Sequence, residues 1–298
     1  MQEPVITVRG LRKSYGAVDA VRGVDLEVQA GEVLAFLGPN GAGKTTTVEI
    51  LEGYRSRDAG EVSVLGVDPA HPTREWRERI GIVLQSAKPE SYLTVRETVD
   101  EYSGWYPSPR PVDETIERVG LADQAGRRVG KLSGGQQRRL DVALALVGDP
   151  DLLFLDEPTT GFDPSARRNA WHLIAGLREL GKTVFLTTHY MDEAQQLADR
   201  VVIVADGRIV AEGAPDELGG RETRVTIRFR LPDGVEPGDL PVEARVEDGH
   251  VVVTADSALR PLHAITSWAL ERGHDLPDLE VERPSLEDVY LELTEAPR

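Results

Sequence analysis

Gly38-Pro39-Asn40-Gly41-Ala42-Gly43-Lys44-Thr45 follows the apolar run Glu32-Val33-Leu34-Ala35-Phe36-Leu37 and leads into a helical pattern over Thr46–Leu51. Strand, glycine loop and helix in that order aim successive backbone N–H groups at one point and place the positive end of a helix behind them, the local geometry that holds phosphate. Gly38 to Gly43 shape the loop. Lys44 then neutralises the β and γ phosphates of a nucleoside triphosphate, and the Thr45 hydroxyl is a ligand for Mg²⁺. The loop alone leaves kinases, GTPases, helicases and transport ATPases open. A second glycine loop, Leu132-Ser133-Gly134-Gly135-Gln136, lies about ninety residues further on, and the apolar run Leu152-Leu153-Phe154-Leu155 then ends in Asp156-Glu157.

A carboxylate at that strand end, Asp156, can hold Mg²⁺ through water, and its neighbour Glu157 can act as general base on the attacking water. An isolated Asp-Glu is more often a solvated strand end; the apolar run before it reverses that preference. His189 closes the next strand, Thr183–Thr188, where it can reach the γ-phosphate and the same water. Gln85 ends the strand Ile80–Leu84, and its amide can contact Mg²⁺ or water. His71 and His274 have no such context and read as surface residues.

The rest of the chain supplies the frame. Val5–Val8 and Val24–Val28 read as strands of an N-terminal β part. Residues 86–145, polar and interrupted by Pro107-Ser108-Pro109-Arg110-Pro111, read as an inserted helical subdomain. Strands then alternate with helices such as Pro164–Leu180, which implies a parallel α/β core. The character changes near Gly219-Gly220: Val225–Arg230, Ala244–Val246, Val251–Val253 and Leu279–Val281 read as strands, and Ala258–Arg272 and Ser285–Leu293 as helices. The expected organisation is a nucleotide-binding domain over 1–218 and a small α+β domain over 222–298.

The chain of 298 residues has 40% hydrophobic and 29% charged residues, an ordinary globular balance, and no cysteine, so thiolate metal sites and disulfides are excluded. No basic-then-apolar start reads as a secretory signal, and no apolar run reaches the roughly 18–20 residues that span a bilayer. Any path across a membrane must come from another chain. The net charge of −17 is divided almost evenly, −9 over the first 220 residues and −8 over the remainder. That argues against nucleic acid or anionic lipid as partner, which both need a basic face.

Taken in order, these motifs resemble the ATP-binding cassette ATPases, the motor subunits of ABC transporters, over residues 5–215, with Leu132–Gln136 the most specific of them. The resemblance implies a P-loop NTPase fold: a mixed sheet with flanking helices, an antiparallel β part, the inserted helical subdomain, and the small C-terminal α+β domain. It further implies a head-to-tail homodimer in which Gly38–Thr46 of one chain bind each ATP, while Ser133, Gly134 and Gly135, in the loop completed by Gln136, cover the γ-phosphate from the other. Tyr15 would stack on adenine, and Asp163 in Gly161-Phe162-Asp163-Pro164 would lie in a loop that crosses the dimer. Phe162 stands where the family usually has leucine, an apolar exchange. The stretches Thr187–Ala194 and Pro284–Leu291 are similar to drug-resistance exporter ATPases of the daunorubicin type, which work with a separately encoded membrane permease. The subunit would then sit at the cytoplasmic face of the membrane, held there only through the permease, with Tyr92-Leu93-Thr94 near the contact. A cassette ATPase without a transport role and a non-catalytic nucleotide sensor are the alternatives. The first lacks its usual coiled coil or tandem cassette here, and the second is disfavoured by Glu157 and His189.

Overall fold

The computed structural model describes residues 3–84, 91–219, 225–232, 234–247, 249–282 and Tyr290. They form two compact units, residues 1–214 and 215–298. In the first, β1 (Ile6–Tyr15), β2 (Val18–Val28), β3 (Val33–Leu37), α1 (Lys44–Leu51), β4 (Ala59–Val64), α2 (Arg74–Glu78) and β5 (Ile80–Val83) are followed by three helices, α3 (Val95–Ser103), α4 (Val112–Arg118) and α5 (Gly134–Leu146). The unit closes with β6 (Leu152–Asp156), α6 (Pro164–Glu179), β7 (Thr183–Thr188), α7 (Met191–Leu197), β8 (Arg200–Ala205) and β9 (Arg208–Gly213).

The central sheet has the order β5-β6-β7-β3-β8-β9, parallel except for β9 at one edge. β3 and β7 are buried along their whole length, as strands covered on both faces must be; β3 shows that environment as an unbroken apolar run, whereas β7 flanks Val184-Phe185-Leu186 with threonines. A smaller antiparallel sheet, β2-β1-β4, packs its apolar face with α1 into the same core as Phe36, Phe154 and Phe185. The three rings lie in a tilted row at 5.5 and 5.7 Å, each pair contributing beyond its buried area.

The strands expected at Val5–Val8 and Val24–Val28 are longer than their alternation suggested. The hairpin runs from Ile6 to Val28 and turns at Gly16, whose φ is +60°. A bulge between Val8 and Leu11, with Gly10 at φ +58°, shifts the side-chain phase midway, so a search for strict alternation loses the strand there. The edge strands β4 and β9 carry no sustained apolar run, and the sequence reading passed over both. Capping boxes start α3, between Thr94 and Glu97, and α5, between Ser133 and Gln136.

The second unit comprises α8 (Pro215–Gly219), β10 (Val225–Arg230), β11 (Arg245–Glu247), β12 (His250–Ala255), α9 (Leu259–Arg272) and β13 (Glu280–Glu282). Its antiparallel sheet, β11-β12-β10-β13, buries Ile227, Phe229, Val251 and Val253 against Ile265 and Trp268 of α9. The helix expected over Ser285–Leu293 lies outside the described residues apart from Tyr290.

Glu52 caps the C-terminal end of α1, is 6% exposed, and has no hydrogen-bond partner for Oε1 among the described residues. Burial, reinforced by the charges of Asp156 and Glu49, pushes its carboxyl up to about 8 from 4.5. The folded chain therefore holds a proton that the unfolded chain has lost above pH 4.5, and stability falls as pH rises through that window to about 8. Glu52→Gln is expected to raise stability at pH 8 by on the order of a few kcal/mol and to flatten the decline of Tm between about pH 6 and 8. An unchanged Tm-against-pH slope in calorimetry would show that Glu52 is charged in the fold.

Candidate functional site

β3 delivers the chain into the Gly38–Gly43 loop and α1 carries it away. Two glycines of the loop are required by close approach: a Cβ on Gly38 would collide with the carbonyl oxygen of Val204, and one on Gly43, at φ +96°, with that of Ala20. Gly43 is the N-cap of α1 and supplies no side-chain acceptor, and the first turn of the helix has no acidic residue, so its N–H groups are presented to an anion. The Lys44 ammonium, only 6% exposed, donates to the carbonyls of Gly38 at 2.7 Å and Pro39 at 3.2 Å. Burial lowers its pKa, and the charges of Glu157 and Asp156 work the other way. A buried ammonium of this kind gains from an anionic ligand, and the loop between β3 and α1 has the form of a phosphate cradle. Thr45 is exposed at the mouth of the loop, and Thr47 bonds back to the Gly43 carbonyl at 2.9 Å.

β6 and β7 bring the acidic and imidazole groups to the same end of the sheet, in the register Asp156↔Thr187. Thr187 is the organising residue. Its hydroxyl donates to Asp156 Oδ1 at 2.6 Å and accepts from the Glu157 amide at 3.0 Å. Glu157 leaves the strand at φ +43°, a strained conformation for a side chain of its size. That turn sends its carboxylate back over the loop: Oε1 lies 4.0 Å from Lys44 Nζ and 3.3 Å from His189 Nδ1, and Oε2 accepts from Thr160 at 3.0 Å. The structure therefore brings Lys44, Asp156, Glu157 and His189 together at the C-terminal ends of parallel strands, where ligands of open α/β sheets bind. Gln85 lies outside the described residues.

Hard oxygen donors of the kind Mg²⁺ takes are present in Asp156 and Thr45. Among the described residues no group of three or more His, Cys, Asp and Glu could hold a metal ion by itself. The donor set fits a cation that completes its shell with phosphate oxygens and water.

The second glycine loop is elsewhere. Ser133 accepts from the Gln136 amide as N-cap of α5, which leaves its hydroxyl proton to donate, and Asp163 caps α6 by accepting from Ser165 and Ala166 at 2.9 Å. Ser133, Gly135, Gln136, Phe162 and Asp163 line a cavity of 470 Å³ between α5 and α6 to which no residue of 38–46 contributes. Tyr15, at the tip of the β1–β2 hairpin, is 41% exposed, and its ring is flanked by Lys13 at 5.6 Å and Arg55 at 5.3 Å.

Thr187, Thr160 and Arg138 were not singled out from the sequence. A signal existed for Thr187, a threonine directly after the apolar Val184-Phe185-Leu186 of a buried strand. Thr160 offered none.

Residues 21–160 match the family described as ABC transporter, and residues 225–285 match the ABC transporter domain-containing protein-like C-terminal domain. The chain is 38% identical to the daunorubicin resistance ATP-binding protein DrrA3 of Streptomyces coeruleorubidus over 99% of its own length and 97% of the relative's. It is 43% identical to the Nod factor export ATP-binding protein I of Burkholderia lata over 97% and 96%. Among solved structures, the dimeric post-hydrolysis state of the ATP-binding cassette MJ0796 bound to ADP and Pi superimposes with a TM-score of 0.62 at 26% identity, covering 70% of this chain and 98% of that one. The cbiO1 subunit of the cbiONQ transporter complex from Clostridium perfringens does so with a TM-score of 0.65 at 30% identity, over 73% and 91%.

Proposed function

The chain belongs to the family of ABC transporter ATP-binding proteins, and on that premise we propose that its ATP hydrolysis drives export of a small drug-like molecule through a separately encoded permease. Export and drug-like cargo rest on relatives named for daunorubicin resistance and Nod factor export. No helix among the described residues is long and apolar enough to cross a membrane, so the translocation path belongs to a partner. The proposed domains are the ATP-binding cassette over 1–218, with its helical insert at 86–145, and a small domain over 222–298.

The observation that carries the catalytic reading is the convergence of Lys44, Asp156, Glu157 and His189 at one sheet end. Lys44 and the amides of Gly41 to Thr46 bind and orient the triphosphate. Glu157, aimed by its left-handed turn and steadied by Thr160, takes the proton of the attacking water. His189 holds that water and the γ-phosphate in line. Mg²⁺, held by Thr45, Asp156 and Gln85, would neutralise charge on the phosphates. Tyr15 serves the adenine. Ser133, Gly134, Gly135 and Gln136 reach the γ-phosphate of a second copy, and Asp163 lies where the two copies meet, so a homodimer contains two composite sites. The separation of the Ser133 cavity from the phosphate loop supports that arrangement.

The permease would seat on an aromatic surface of the first unit. Tyr54, Tyr92 and Trp105 are each more than half exposed, and Tyr54 and Trp105 line a 450 Å³ groove together with Trp76, Tyr102 and Tyr106. Exposed aromatics of this kind mark an interface. Thr94, which caps α3, has a structural task as well. Association at the cytoplasmic face of the membrane follows from the permease alone, and the acidic charge offers nothing to nucleic acid. Isolation of the tagged chain from membranes is expected to bring down a multi-span membrane protein, and Tyr92→Glu with Trp105→Glu to release it while hydrolysis by the isolated chain persists. Recovery of soluble partners alone would favour a cassette ATPase without a transport role.

A further inference from the structure

Arg138 lies on α5, five residues after Ser133, and is 9% exposed. Its guanidinium donates to three backbone carbonyls at the ends of β5 and β6: Nη1 to Leu84 at 2.5 Å, Nη2 to Asp156 at 2.8 Å, and Nε to Pro158 at 3.2 Å. Asp156 and Pro158 are the residues on either side of Glu157. Leu84 follows β5 directly. Burial lowers the pKa of Arg138, and the carboxylates of Asp141, Asp156 and Glu193 work the other way. Asp141 is one turn along the same helix with 3.9 Å between the charged atoms, and Glu193 is a fully buried residue of α7.

A planar cation that bonds three carbonyls at once is a rigid joint, because its five donors cannot move independently. The joint connects two parts with different duties. Ser133, at the start of α5, serves the ATP of the other copy, whereas Glu157 serves the ATP bound to its own chain. We propose that Arg138 is a positioning residue that transmits the state of the Ser133 loop to Glu157, so that filling one composite site of the dimer sets the base of the other. This rests on the head-to-tail arrangement proposed above. A helix does not bend over a turn and a half, so a displacement of Ser133 on the arrival of a γ-phosphate moves Arg138 with it. The carbonyls flanking Glu157 then follow, and a shift near 1 Å at a reacting group changes rate by on the order of 10²-fold.

Arg138→Lys keeps the charge but replaces the planar five-donor fork by a single ammonium, which cannot reproduce the fixed geometry of the three bonds. In the full-length chain we expect nucleotide affinity of the monomer, measured with a fluorescent ATP analogue, to stay within about twofold. We expect kcat to fall roughly 10- to 100-fold and the dependence of phosphate release on ATP concentration to lose its cooperativity, the Hill coefficient dropping to about 1. An unaltered kcat and Hill coefficient overturns the inference, as does a loss of kcat with cooperativity retained. A fall in kcat matched by equal losses of nucleotide affinity and melting temperature also overturns it, since Arg138 would then only hold the fold. Ser133→Arg is assayed alongside. If it hydrolyses ATP normally, the composite-site reading itself fails; if it is inactive while Arg138→Lys behaves as wild type, only the coupling role fails.

Discussion

Glu157→Gln is expected to slow phosphate release by about 10²- to 10⁴-fold while leaving ATP bound, the range that removal of a general base produces. The substitution keeps the shape and both polar atoms of the side chain, so the left-handed turn at 157 and its Thr187 hydrogen bonds persist. The ability to take a proton is lost. The charge opposite Lys44, 4.0 Å from Glu157 Oε1, also disappears, and the ammonium is left to the phosphates. Both effects favour retention of unhydrolysed ATP, so a stable dimer should accumulate with ATP and Mg²⁺ and elute at twice the monomer mass in size-exclusion chromatography. Turnover that survives the substitution would remove Glu157 from the role of base.

Ser133→Arg has an expected effect as large, by a different route. The long cation enters the space that a partner's γ-phosphate would fill and displaces the amides of Gly134 and Gly135 from it. Removing preorganised donors from a developing anionic charge costs about 10²- to 10³-fold apiece, so hydrolysis by the dimer should fall to background. Binding of ATP by the monomer, measured by fluorescence titration, should remain within about twofold, because no residue of 38–46 lines the Ser133 cavity. The substitution also deletes an N-cap, which costs about 1 kcal/mol of helix stability. A melting curve separates that modest loss from the loss of turnover. If ATP binding and hydrolysis fell together, Ser133 would belong to the site of its own chain.

Most of the cassette was legible because its chemistry is local. A strand, a glycine loop and a helix are contiguous, and the close approaches of Gly38 and Gly43 to neighbouring backbone explain why glycine stands there. The apolar runs of β3, β6 and β8 declared buried strands, and the structure places all three in the central sheet. What escaped was set by phase and by distance along the chain. The bulge after Val8 hid the length of the hairpin, and the polar edge strands β4 and β9 take their form from the partners they pair with rather than from their own pattern.

The sequence by itself identified the family through the order of its motifs and marked Gly38–Thr46 as the expected phosphate loop, because each motif works with a few adjacent residues whose types are dictated by phosphate and proton chemistry. Only the tertiary structure decided how Glu157 is aimed. Its positive φ is sustained by the Thr187 hydroxyl that holds it and the Arg138 guanidinium on the carbonyls beside it, bonds from a strand and a helix 18 to 30 residues away in the chain. A hydrogen bond between distant segments leaves no periodicity in the sequence, and backbone strain is sustained only by packing that the whole fold supplies.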